Sequence, residues 1–90
     1  MPHELENIPG VFSSAGWRVK ISDKEMAEEP HATIIKRTKR WRISLRTGGF
    51  MDSKPPRREV PAGLVDHVRS RREELAEAWD EMYPHNPVQE

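Results

Sequence analysis

Apolar and polar positions alternate most cleanly between Arg40 and Arg46, where Trp41, Ile43 and Leu45 are separated by Arg42 and Ser44. A period of two marks a strand buried on one face only, so this stretch predicts a sheet with one apolar and one basic face. A second run, Trp17-Arg18-Val19-Lys20-Ile21, predicts a strand with Trp17, Val19 and Ile21 turned to the core. A third strand is expected from His31 to about Arg37, returning through a turn into the basic one. With Thr38 and Lys39 at the tip, Ile34 faces Ile43, Ala32 faces Leu45 and Lys36 faces Trp41 on the apolar side. Ile35 then meets Arg42, Thr33 meets Ser44 and His31 meets Arg46 on the other side, away from any covering helix. Thr-Lys is poor chemistry for a two-residue type I′ turn, so a longer loop with the same pairing is the alternative. Val11-Phe12 is a candidate start of a further strand, ended by a turn at Ser13-Ser14-Ala15-Gly16.

The period then changes. Pro61 suits a first helical position, and Leu64, Val68, Leu75, Trp79 and Met82 recur at spacings of three, four and seven that keep them in one stripe. Pro84 stops the helix after roughly five turns, long enough to cover a small sheet. Residues 50–60 are too interrupted by proline for a central strand, and Phe50 and Met51 are placed to cap the core edge. Ser22 to Pro30 reads as an acidic loop, 1–9 as a flexible leader and 84–90 as a flexible tail. The expected fold class is α+β: a small antiparallel sheet of three to four strands covered on one face by a single C-terminal helix, in one domain over 10–83.

Ninety residues, 34% hydrophobic and 33% charged, leave room for only a modest core. The absence of cysteine excludes disulfides and thiolate metal sites. No signal-peptide pattern or membrane-length apolar run is present, so a soluble, cytoplasmic protein is expected. Net charge is zero, but it is unevenly spread. Residues 36–58 hold nine Lys and Arg against one acidic residue, +8, between flanks of −3 and −5. Glu73, Glu74, Glu77, Asp80 and Glu81 crowd the second half of the expected helix, where the macrodipole disfavours anions; they form a solvated face or a patch for a partner.

Two stretches resemble a known family. Glu29-Pro30-His31-Ala32-Thr33-Ile34 is similar to the Pro-His-x-His strand opening of the small prokaryotic proteins grouped as domain of unknown function 4160. Arg72-Glu73-Glu74-Leu75-Ala76-Glu77-Ala78-Trp79 looks like that family's Arg-Glu-Glu-Leu-x-Glu-x-Trp helix end, and the likeness spans about residues 16–83. The resemblance implies an α+β domain in a toxin–antitoxin-like or otherwise partnered regulatory pair. This chain has Thr33 where the family has its second strand histidine, so a role needing two imidazoles is not carried over.

The first functional reading is a binding or regulatory module whose basic face takes nucleic-acid phosphates through Arg40, Arg42, Arg46, Arg57 and Arg58, with Arg37 and Lys39 at the margin. Trp17 and Trp41 point inward by parity, which favours phosphate contact over base stacking. The alternative is a small ribonuclease-like toxin in which His31 is the general base, Arg42 or Arg46 stabilises the phosphate and Glu28 or Glu29 is the acid. The bland counterpart is a set of arginines that keeps the sheet from pairing edge to edge. Possible partners are RNA or DNA, a cognate protein, or a second copy in a homodimer; no membrane and no cofactor are called for. His3, His31, His67 and His85 have no ligand spacing, so no metal site is expected.

Overall fold

Burial follows the predicted alternation: Trp17, Val19 and Ile21 are buried, while Arg18 between them is exposed. The computed structural model describes residues 3–5, 8–21 and 29–88, with the side chain of His3 left aside. Most of the expected acidic loop, residues 22–28, lies outside that set. Strands β1 (His3–Glu4), β2 (Trp17–Ile21), β3 (His31–Lys36) and β4 (Lys39–Ser44) form one antiparallel sheet in the order β1-β2-β3-β4. One helical turn, α1 (Gly10–Ser13), joins β1 to β2, and α2 (Ala62–Ser70) and α3 (Arg72–Met82) close the chain. The fold is α+β, with the C-terminal helices packed on the sheet.

The β3–β4 hairpin keeps the predicted alternation but not the predicted pairs, and β3 is buried on both faces rather than one. Ile34 faces Trp41, Ala32 faces Ile43, Ile35 faces Arg40, Thr33 faces Arg42, His31 faces Ser44 and Lys36 faces Lys39. The two tip residues are therefore Arg37 and Thr38, one position earlier than expected, because Arg37 adopts a left-handed φ of 58°. A two-residue shift in partner preserves parity, so each side chain keeps its side of the sheet. The gain is that Trp41 meets Ile34 rather than a lysine, a better apolar pair.

The apolar side of the sheet packs against Leu64, Val65 and Val68 of α2 and Leu75, Ala78 and Trp79 of α3. Each large buried side chain contributes about 1.5–3 kcal/mol, so these few residues carry the core of a chain in which charge is as common as hydrophobicity. The helical stretch divides at Arg71, whose φ and ψ are −102° and 16°. Its amide shares the carbonyls of His67 and Val68, both at 3.1 Å, and the Ser70 hydroxyl bonds back to His67 O at 2.7 Å. Back-bonding of this kind competes with the helix ladder and bends it. The division moves Glu73 and Glu74 from the second half of one long helix to the first turn of α3, where a helix favours negative charge.

Both expected loose ends are packed where they are described. His3 and Glu4 pair with Ile21 and Lys20, and Leu5 is buried with its amide on Val19 O at 2.8 Å. Val11-Phe12 is helical rather than a strand start, and Phe12 lies so close to Gly63 that a Cβ there would sit 3.0 Å from its ring. At the other end, Trp79 Nε1 donates to Asn86 O at 2.7 Å and the Val88 amide donates to Asp80 Oδ1 at 2.8 Å. Among the described residues no helix is long and apolar enough to cross a membrane.

Candidate functional site

Arg42 lies on β4, where its carbonyl accepts the Met51 amide at 2.8 Å and its neighbour Ile43 bridges to Phe50. That local pairing brings Asp52 beside the guanidinium, and the two form a fork: Nε to Oδ2 at 2.9 Å and Nη2 to Oδ1 at 2.7 Å. The hydrogen bonds from Arg42 hold the Asp52 carboxyl below its usual range, against a smaller opposing effect of burial.

Arg46 follows the end of β4 and donates from Nε to Val88 O and from Nη2 to Pro87 O, both at 3.0 Å. The C-terminal segment thus lies across it. His31 is 1% exposed, with Nδ1 2.7 Å from Glu29 O and its ring centroid 5.4 Å from that of Trp79 on α3. It faces Ser44 rather than Arg46, and Thr33 and Ser44 beside it are buried as well. Of the expected surface of His31, Arg42 and Arg46, the histidine is covered, Arg42 is half-buried in its fork with Asp52, and Arg46 is exposed while holding the Pro87 and Val88 carbonyls. At the mouth of the sheet α3 and the C-terminal segment overlie what strand alternation alone would leave wet. The expected register neighbour Arg46 is thus replaced by Ser44 opposite His31, and the imidazole is buried. Glu28, one of the candidate acids of the ribonuclease reading, lies outside the described residues, and Glu29 is exposed.

The remaining expected cations gather elsewhere. Arg57 and Arg58 are exposed on a short 3-10 turn, Arg57–Glu59. Trp41 Nε1 anchors the preceding segment by donating to Pro55 O at 3.1 Å and Pro56 O at 3.3 Å. Lys39 Nζ pairs with the Glu59 carboxylate. These contacts press the turn against the hairpin end, which carries Lys36, Arg37, Lys39 and Arg40. Of the cations at this end of the sheet, Lys36, Arg37 and Lys39 share a groove with one carboxylate, Glu59. The groove is open, about 540 Å³ in volume, and lined by Trp17, Lys36, Arg37, Thr38, Lys39, Trp41 and Glu59.

Its floor is the Trp17–Trp41 pair, centroids 5.5 Å apart, and Lys36 Nζ stands 4.9 Å over the Trp17 ring. Sequence reasoning had Arg37 and Lys39 at the margin of a site and missed Lys36, Trp17 and Glu59. The run Lys36-Arg37-Thr38-Lys39-Arg40 was the available signal, but period two distributes it over two faces, whereas a tight turn collects it at one end.

Among the described residues no group of three or more His, Cys, Asp or Glu side chains could hold a metal ion. His67 Nε2 is buried without a hydrogen-bond partner among them. No protein-family model, curated protein or solved structure matches the chain.

Proposed function

We propose that the domain is a binding module for nucleic-acid phosphates and that its contact surface is the hairpin end rather than the sheet face. The observation that carries this reading is the division of the arginines into two sets. Arg42 and Arg46 are satisfied internally, by Asp52 and by the Pro87 and Val88 carbonyls. Arg37, Arg40, Arg57 and Arg58 are exposed, and Arg37 lines a groove together with Lys36 and Lys39. Exposed cations clustered at one end lower the free energy of a polyanion through counterion release, and guanidinium forks suit phosphate oxygens. The tryptophans are 5% and 1% exposed, so they offer bases little ring face and the binding is to the backbone of the strand.

The test is fluorescence anisotropy of short labelled RNA and DNA over a salt series. Binding is expected at low salt, falling steeply with added salt. The double variant Arg57→Glu, Arg58→Glu should weaken it at least about tenfold, and Arg18→Glu, on the exposed Glu4 pair, should matter far less. No binding at low salt ends the proposal.

A further inference from the structure

The groove at the hairpin end has more cations than its single carboxylate can neutralise. Lys36, Arg37 and Lys39 line it, against Glu59 alone. The surplus of two positive charges matches the charge of one phosphomonoester or of two successive phosphodiesters. Two of the cations are held by contacts of their own. Lys36 Nζ stands over the Trp17 ring, Arg37 occupies the tip with a left-handed φ of 58°, and Lys39 pairs with Glu59. The hydroxyl-bearing Thr38 lies between them on the lining. A volume of about 540 Å³ falls within the range of pockets that accept a small ligand, and the indole floor excludes water from one side, which strengthens charge interactions above it.

In this setting the Glu59 carboxylate is an anion already in place. We propose that the groove is a phosphate seat which Glu59 occupies in the free protein, and that a nucleic-acid phosphate enters by displacing Glu59 from Lys39. This rests on the reading above and deepens it, since it assigns one particular phosphate-binding position and an internal competitor for it. Glu59 sits on a 3-10 turn of only three residues, Arg57–Glu59, so its release asks for movement of a side chain and not of an element. The arrangement sets affinity through a competition: strands that present a phosphate to Lys36, Arg37 and Lys39 together gain over anions that meet the rim alone.

The experiment compares Glu59→Gln with Glu81→Gln, which makes the same change in net charge on an exposed residue of α3 remote from the groove. Removing the competitor should tighten binding of a labelled oligouridylate about fivefold beyond the effect of Glu81→Gln, and adding Lys39→Met to Glu59→Gln should abolish that gain. Inorganic phosphate, titrated against tryptophan fluorescence, should bind Glu59→Gln more tightly than wild type. Equal gains from the two glutamine variants, or a gain that survives Lys39→Met, overturn the seat while leaving nucleic-acid binding intact. Phosphate binding enhanced by Glu59→Gln in a protein that retains no RNA or DNA keeps the seat and removes the nucleic-acid reading.

Discussion

Arg42 and Asp52 face each other through two near-parallel hydrogen bonds, 2.9 and 2.7 Å, across the edge of the sheet. The pair is partly buried, with side-chain exposures of 32% and 26%, so solvent screens it less than a surface ion pair. It also accounts for the fate of a residue that strand alternation alone offers to a ligand. A guanidinium engaged on both Nε and Nη2 has spent the geometry that would fork a phosphate.

Acid should loosen this pair. The Asp52 carboxyl titrates below its ordinary value in the folded chain, so its stabilisation is complete above the unfolded pKa of about 4 and is lost as pH falls through the folded value. Asp52→Asn is expected to lower stability by on the order of 1 kcal/mol near neutral pH. Urea melts of both proteins should converge as the pH drops below about 4; a difference that widens in acid would contradict the assignment.

Trp79 is fully buried, packs at a tilt against Tyr83 with ring centroids 4.3 Å apart, and donates to Asn86 O. Trp79→Ala should cost about 3–5 kcal/mol, enough to unfold much of a small domain at room temperature. Trp79→Phe keeps most of the apolar contact but loses the hydrogen bond to Asn86 O, and should cost about 0.5–1.5 kcal/mol for that bond. Denaturant midpoints order the three proteins; a negligible effect of the alanine variant would remove α3 from the core.

Arg37→Gly separates stability from binding. A non-glycine residue in the left-handed region costs about 1–2 kcal/mol, against the backbone entropy that glycine loses on folding. At φ 58° the first term is the larger, so the melting temperature should rise. Nucleic-acid affinity should fall, because a groove cation is gone. A variant that melts lower would show that the Arg37 side chain contributes more to the tip than its backbone conformation costs.

Much of the sheet was legible because its signal is local and repetitive. Trp17, Val19, Ile21, Ala32, Ile34, Trp41 and Ile43 reach the core by parity alone, and parity survives a register shift of two. What escaped reading depended on single conformations or on distant partners. Nothing in the residue type of Arg37 announces a positive φ. No glycine or proline marks the division at Arg71. The neutralisation of Arg46 needs carbonyls 41 and 42 residues away, and no periodicity within β4 encodes them. Gly48 is another case: its φ is 79°, and its closeness to Arg72, whose Nη1 would lie 2.9 Å from a Cβ at that position, follows only from the fold.

The contact between His31 and Trp79 has a bearing on the molecule as a whole. It sets the end of α3, with Glu77, Asp80 and Glu81, at the first residue of β3, while the cation cluster surrounds the last residue of the same strand. Six residues of strand separate the two by about 17 Å. Among the described residues, acidic side chains of α3 thus lie toward one end of β3 and exposed cations of the hairpin at the other. On the proposed reading a polyanion is expected to meet the hairpin first, and retention on both cation and anion exchangers at one pH and low salt would be the simplest sign of that separation of charge.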